Sequence, residues 1–476
     1  MLKGSLETPK QELNELDWKQ ELSSDKQRLS EHLSAFSNFS GGGFLVYGVN
    51  NQGIIPSDIA QDRVDTIVKQ LTNLSREAIE PPVALDCSVE DFESARLLFI
   101  HVPESPVKPV HLRGKPLDVA FIRSGGTTRR ASRQEIGMMM LNSRTPRWEE
   151  LRATMLISDE EIRLMLNMGP ILTMLERPVP STKDEMLELI VGERFALRDH
   201  SGGGYITNLG AIAAAKRIAD FPDISRKSVR VIVYDGLNKR KTKQEQEGRL
   251  GYAISFQGLL SFVMSLLPQS EVIEQALRRK RTVYPEIALR EIIANALIHQ
   301  DFSITGAGPL IEIYNDRIEI SNPGGLLPSQ RLDRLIGAQP ESRNEQLARA
   351  FRRYKICEER GSGLIKAATE VEMYGLPPIE FTNGANFFKV TLYTPRTFAQ
   401  MSERERLDAC YQHAVLKYLS DTTMTNTSLR ERLKMPEKQR SMVSLLIQEA
   451  IDKNLIKAAD PENTSKKFTE YVPIWA

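Results

Sequence analysis

The apolar and polar positions change rhythm three times along the chain. Residues 26–39 carry helical spacing and run into Gly41, Gly42 and Gly43, after which 44–49 predict a buried strand ending in the turn Asn50-Asn51-Gln52-Gly53. Residues 62–74 predict a helix, 95–102 and 119–123 further strands, and 134–141 a helix that stops near Pro146. From there to about 275 the pattern predicts short helices at 164–175, broken by Gly169 and Pro170, and at 183–189. Another helix follows a cap at Thr207 or Asn208, and a strand lies at 229–234. The tail predicts helices at 405–419, 426–433 and 437–453, then strands at 455–458 and 466–474 around Asp460-Pro461-Glu462-Asn463. These shifts divide the chain into 1–145, 146–275, 276–397 and 398–476. The fold class is multidomain, mixed α/β and α+β.

One segment, 284–301, breaks its own pattern. Leu289, Ile292, Ile293, Ala296, Leu297 and Ile298 can bury most of a helix there, yet Glu291, Asn295 and His299 recur every four residues and form one polar stripe. In such a helix the stripe faces either solvent or a polar cavity. Facing a cavity, the carboxylate can orient and deprotonate a water. The carboxamide one turn on can hold a Mg²⁺ that bridges phosphate oxygens. Taken singly, the stripe reads equally as an exposed helix face, His299 as a satisfied buried histidine, and the later glycines as turns.

The order of elements goes further. Glu291-x-x-x-Asn295-Ala296, a strand ending in Asn322-Pro323-Gly324-Gly325, and Gly361-Ser362-Gly363-Leu364 together resemble the GHKL ATPases: gyrase, heat-shock chaperones, mismatch-repair ATPases and histidine kinases. More narrowly, the set resembles the divergent ATP-binding domain of bacterial proteins often labelled RecG-related. The resemblance implies a GHKL-like α/β sandwich over 276–397 that takes ATP and Mg²⁺. Glu291 would be the general base and Asn295 the Mg²⁺ ligand, with His299 on the same stripe. Asn322 would face the adenine, Gly324 and Gly325 would allow close approach, and Gly361, Ser362 and Gly363 would cradle phosphate beside Arg360. In the familiar families an Asp meets the adenine amine where this chain has Asn322, whose amide oxygen can also accept that hydrogen bond. Residues 343–366, with Arg349, Arg352, Arg353, Lys355 and Arg360, would form the mobile lid.

Composition narrows the rest. With 476 residues, 41% hydrophobic and 26% charged, the chain reads as several ordinary globular domains, and a net charge of +1 means that any nucleic-acid surface must be local. Cys87, Cys357 and Cys410 lie far apart, without disulfide or zinc spacing, which suits a reducing cytoplasm. No apolar run approaches the ~20 residues of a bilayer span, so no membrane association is expected. The P-loop pattern Gly-x-x-x-x-Gly-Lys-Ser/Thr occurs nowhere, so a helicase motor of that type is not encoded.

The first 145 residues carry a second resemblance. Glu12, Asp17-Trp18-Lys19, Ala35-Phe36-Ser37-Asn38, the triple glycine, Gly48-Val49 and the run from Ile122 to Ser132 resemble the Schlafen-type AlbA_2 domain. That family is associated with nucleic-acid binding, and some relatives are three-carboxylate RNases. Glu12 and Asp17 match the first two acids and would be the metal ligands of a nuclease, and Lys19 matches the lysine that follows. Asn50 and Asn51 stand where relatives carry the third acid, so binding without cleavage is the reading preferred. Arg123, Arg129, Arg130 and Arg133, set among Ser, Thr and Gly, form either a phosphate-binding loop or a solvated one. Lys108 and His111 would extend that patch or belong to a plain loop.

Three helices followed by two strands make the tail a winged helix-turn-helix. Lys438 and Arg440 would lie on the groove-facing helix, and Lys466 and Lys467 on the wing. The same module can serve protein contact instead. Two functions stand: a nucleotide-regulated nucleic-acid-binding protein, DNA rather than RNA, acting as a transcriptional regulator or defence-associated switch; or a nucleotide-gated nuclease of Schlafen type. Pairing into homo-oligomers follows by analogy with both families.

Overall fold

The structure, a computed structural model, describes the chain except residues 8–11, 51, 94, 144–146, 200–201, 275–276, 358–360 and 461–468. It is a mixed α/β fold in two compact units, Met1–Arg147 and Trp148–Ala476.

In the first unit β1 (Leu16–Lys19), β2 (Gly43–Tyr47), β3 (Asp86–Phe92) and β4 (Ala95–Val102) form one sheet in the order β1-β2-β4-β3. β1 runs parallel to β2, and the other pairs are antiparallel. Alternation along β4 sends Leu98, Ile100 and Val102 to one face, where they meet Leu29, Leu33 and Phe36 of helix α1 (Lys26–Asn38). Leu97 turns to the other face, with Leu16, Trp18 and Val46. Helix α2 (Gln61–Glu77) covers the α1 side through Val64, Ile67 and Leu71. The hairpin of β5 (Phe121–Ser124) and β6 (Thr127–Arg130) and helix α3 (Arg133–Asn142) complete the unit.

The triple glycine has a packing cause. Gly42 sits at φ +72°, and a Cβ there would come within 2.8 Å of the Glu104 amide. A Cβ on Gly43 would strike the Phe36 ring. The expected strand at 95–102 is β4, residue for residue. β3 has no sequence signature: it is a polar, largely exposed edge strand.

The second unit is built on six strands: β7 (Arg230–Tyr234), β8 (Thr242–Glu247), β9 (Leu310–Ile313), β10 (Arg317–Pro323), β11 (Glu380–Asn383) and β12 (Phe387–Tyr393). Their order is β8-β7-β9-β10-β12-β11, with β7 and β9 parallel and the other neighbours antiparallel. Helices α4 (Tyr252–Leu266), α5 (Glu286–His299), α6 (Glu345–Arg353) and α7 (Gly363–Met373) accompany this sheet. One core joins Leu260, Leu289, Ile293, Ile320, Phe351 and Val371, and extends from Ile162 to Leu416.

Residues 343–366, expected to be a mobile lid, contain helix α6 and the first turn of α7. Leu347, Ala348, Ala350 and Phe351 of α6 are buried, and Phe351 meets Phe256 edge-on at 6.2 Å. Arg353 grips Glu193 through two hydrogen bonds of 2.7 and 2.8 Å, and Tyr354 donates to the same carboxylate at 2.8 Å. Two cations of this stretch, Arg353 and Lys355, are paired with Glu193 and Glu176, far away in sequence, whereas Arg352 lines a cleft of this unit.

The tail contains α8 (Glu403–Leu419), α9 (Asn426–Arg432) and α10 (Arg440–Asp452), then β13 (Ile456–Ala458) paired antiparallel with β14 (Tyr471–Pro473). Ser402 and Thr425 cap the first two helices, and Leu407, Leu429, Val443, Leu446 and Ile456 form the core beneath them.

Because Phe351 is fully buried and in ring contact with Phe256, Phe351→Ala should destabilise the second unit by about 3–5 kcal/mol. Urea unfolding followed by far-UV dichroism should show the lower midpoint.

Candidate functional site

The polar stripe of α5 faces a cleft in the second unit. Glu291, Asn295 and His299 line it together with Asn322 and Phe388 from the sheet, Gly361 and Gly363 at the start of α7, and the loop 326–343. Counting its open mouth, the cleft encloses about 1190 Å³. Ile292, Ile320, Leu335 and Val390 supply an apolar surface, and Arg343 and Arg352 supply positive charge.

Each polar group has a structural reason for its place. On β10, Ile318, Ile320 and Asn322 share the face turned to the core, so Asn322 is the point at which that apolar row becomes polar. Its amide donates to the Pro323 carbonyl at 3.1 Å, and its Oδ1 is the acceptor it can offer. Glu291 is only 6% exposed, and the first residue of α7 packs directly on its carboxylate: a Cβ on Gly363 would overlap Oε2. Gly361, at φ +67°, takes the left-handed turn into that helix. Ser362 sits between the two glycines as the residue preceding α7.

Arg343 closes the far end. Its guanidinium donates to the carbonyls of His299 (3.1 Å) and Gly325 (2.8 Å) and lies 3.5 Å from Asp301. Asn344 beside it donates to the carbonyls of Ile298 and Gln300 and so closes the C-terminus of α5. Burial, with the charge of Arg343 added, pushes His299 down to about 4, so the ring is neutral at physiological pH. Gly324 has φ +90°, but the side chain its absent Cβ would meet is Asp301, outside the cleft lining. Arg360 lies outside the described residues. The sequence reading missed Arg343; its signal was an Arg-Asn pair at the end of the loop 326–343, which composition alone does not single out.

The first unit holds a buried ionic cluster. Asp17, fully buried, accepts from Lys19 Nζ at 2.5 Å and lies 3.4 Å from Arg123 and 3.3 Å from His32; the same ammonium reaches Glu12 at 2.7 Å. Burial, with a hydrogen bond to Asp17, pushes Glu12 up to about 7. Burial alone would raise Asp17 too, but Glu12, Lys19 and His32 outweigh it and hold that carboxyl below its usual range. The ammonium of Lys19 thus reaches both residues expected as metal ligands, Glu12 and Asp17. Among the described residues no three His, Cys, Asp or Glu side chains converge as a metal site. Asn50, at the position of the third acid, instead accepts from the backbone of Gln52 and Ile54 in a turn.

Arg123, expected on a phosphate-binding or solvated loop, is a correction. It is 4% exposed, donates to the carbonyls of Leu13, Asn14 and Gly126 and to Thr128, and stacks over Phe36 at 4.6 Å, so it organises this cluster and does not meet phosphate at the surface. Arg129, Arg130 and Arg133 are exposed; the first two pair with Glu135 and Asp118. Lys108 is committed to the Asn38 carbonyl and Glu104, and His111 is buried. In the tail Lys438 and Arg440 are exposed, while Lys466 and Lys467 lie outside the described residues.

Comparison with known proteins agrees with both resemblances. Residues 12–132 match the family described as "Schlafen, AlbA_2", and 306–392 match the one described as "Putative ATP-dependent DNA helicase recG C-terminal". The chain thus joins a Schlafen-type module to an ATPase-like one, a pairing that agrees with nucleotide and nucleic-acid binding in general. No curated protein matches it. Among solved structures it is similar to the DIP2311 protein of Corynebacterium diphtheriae (15% identity, 97% of this chain and 92% of that one, TM-score 0.44). It is also similar to the N-terminal domain of a "Putative ATP-dependent DNA Helicase RecG-related Protein" of Nitrosomonas europaea (19% identity, 28% and 90%, TM-score 0.21). No helix among the described residues is long and apolar enough to cross a membrane.

Two outcomes are expected. Gly363→Ala should displace the Glu291 carboxylate and slow any nucleotide hydrolysis by roughly 100-fold, measured as phosphate release. Glu12, which keeps its proton to about pH 7 when folded against 4.5 when unfolded, adds stability at low pH that is lost as pH rises between those values. Glu12→Gln should abolish that fall in denaturation midpoints taken across the same window.

Proposed function

We propose that the protein is a nucleotide-regulated nucleic-acid-binding protein, acting as a transcriptional regulator or defence-associated switch, with a purine nucleoside triphosphate in the cleft of the second unit. The observation that carries this reading is the meeting of Glu291, Asn295 and the N-terminus of α7 on one cleft wall. A helix N-terminus whose cap residue, Ser362, lies between Gly361 and Gly363 offers backbone N–H groups to phosphate, and Arg343 and Arg352 offset its charge. The apolar surface around Ile320, Phe388 and Val390 suits a base, with Asn322 Oδ1 accepting from an exocyclic amine. Glu291 orients and deprotonates the attacking water, and His299, uncharged, can hydrogen-bond without adding charge.

The donor set fits a magnesium nucleotide. Asn295 would hold the Mg²⁺, which when bound neutralises phosphate charge. Oxygen ligands and a cleft open to water suit a cation that keeps most of its own water shell.

Nucleic acid is assigned to two surfaces. Arg129, Arg130 and Arg133 form the exposed arginine patch of the first unit; their surface ion pairs are each worth at most about 1 kcal/mol, so phosphate can replace the carboxylates. In the second unit α8, α9 and α10 with the β13–β14 pair read as a winged helix-turn-helix for duplex DNA, Lys438 lying in the 3-10 turn Glu437–Gln439 before α10 and Arg440 at its first position. Asn426 pins α9 to Ser444 of α10 at 3.0 Å. With Lys19 between Glu12 and Asp17, binding rather than cleavage is the reading for the first unit.

The test is Mg²⁺-dependent nucleotide binding by calorimetry. Asn295→Ala should lose about 1.5–3 kcal/mol, roughly 10–100-fold in affinity. Glu291→Gln should bind but hydrolyse roughly 100-fold more slowly or worse. Wild-type protein that takes up no purine triphosphate would overturn the assignment. For the nucleic-acid side, replacing Lys438 and Arg440 by Ala should make the slope of log affinity for duplex DNA against log salt shallower, by about 1 for each phosphate that is no longer neutralised.

A further inference from the structure

Two paths of contact lead from the cleft to the tail. The first is the loop 326–343. Inside, Leu335 and Arg343 line the cleft; outside, the carbonyl of Asp333 accepts from the Tyr411 hydroxyl, which in turn accepts from Trp475 Nε1 at 2.8 Å. The Arg334 guanidinium lies over the Trp475 ring at 5.7 Å. Gly337, at φ +84°, comes so near α8 that a Cβ would stand 2.7 Å from the Leu419 side chain.

The second path is α7 itself. Its first residue packs on the Glu291 carboxylate, and toward the far end of this eleven-residue helix, about 16 Å long, Glu372 pairs with His413 at 2.8 Å and Arg432 at 3.2 Å. Arg432 is nearly buried and also donates to the Leu376 carbonyl at 2.7 Å. Gln412 exchanges two hydrogen bonds with the backbone of Ile379 just beyond the helix. Removing one partner of a buried ion pair costs several kcal/mol, so the tail moves with the end of α7 more readily than it slides past it.

We propose that the module 402–476 reads cleft occupancy through these two paths: a nucleotide that shifts α7 and the loop 326–343 alters the tail, and the tail's own ligand alters nucleotide affinity by the same factor. This rests on the cleft being a nucleotide site, and adds which part of the chain responds and through which residues. The N-terminal unit has no role in it.

Hydrogen exchange on the full chain, with and without Mg²⁺ and a slowly hydrolysed ATP analogue, tests it. Peptides over 286–299 and 326–343 report the cleft, and those over 403–419 and 471–476 the tail. Both sets should change, the tail by roughly fivefold in exchange rate or more. Tyr411→Phe combined with Glu372→Gln should keep cleft protection and lose most of the tail response. Cleft protection with an unchanged tail in wild type, or a double variant whose tail responds fully, would overturn the coupling and leave the nucleotide site standing. No protection of the cleft peptides would remove the site and the coupling together.

Discussion

A carboxylate buried in an apolar helix is the constraint on which the second unit turns. Glu291 sits among Leu289, Ile292 and Ile293, and stripping an isolated carboxylate of water is costly enough that it must be met by dipoles or charge. The N-terminus of α7, carrying about half a positive charge, lies against it and adds a favourable field. That arrangement requires glycine at 363, because any side chain would stand where the carboxylate is.

What the sequence made legible followed from periodicity and from glycine. The stripe of Glu291, Asn295 and His299 was readable because a helix of otherwise apolar residues can place its polar members only against solvent or a cavity, and they line a cleft. The helices of the tail were readable from their spacing, and the structure adds that Ser402 and Thr425 cap the first two. Strand β8, Thr242–Glu247, was not: it is exposed along its whole length, so no alternation marks it, and it exists because β7 offers a sheet edge. Long-range charge pairing was equally hidden. Nothing local says that Arg353 belongs to Glu193 or that Arg343 closes onto the carbonyls of His299 and Gly325.

The first unit shows the same limit in a sharper form. Four arginines in eleven residues look alike in sequence, yet Arg123 points inward to Asp17 and a ring of carbonyls, whereas Arg129 and Arg130 point outward to exposed acids. Strand alternation across the β5–β6 hairpin does not separate them by itself. The difference arises because Asp17, buried on β1, requires a cation, and Arg123 is the one whose side chain reaches it over the Phe36 ring. Once Lys19 and Arg123 have met that demand, the cluster is internally balanced. The cluster then positions the hairpin, leaving the outward arginines as its adjustable charges.

The tail differs from a tethered module in one respect that bears on regulation. Val415 and Leu416 of α8 belong to the same core as α5 and α7, while the opposite side of α8 joins the separate core of α9 and α10. A helix shared by two cores cannot rotate without disturbing the packing of both, and packed cores switch between discrete arrangements rather than deform continuously. The polar contacts of Tyr411, Gln412 and His413 lie on consecutive residues and therefore on different faces of α8, reaching the loop 326–343, the segment after α7 and α7 itself. Shape changes at the cleft are thus resisted from three directions by one helix. That helix is where a change of state in the cleft must either stop or be passed on.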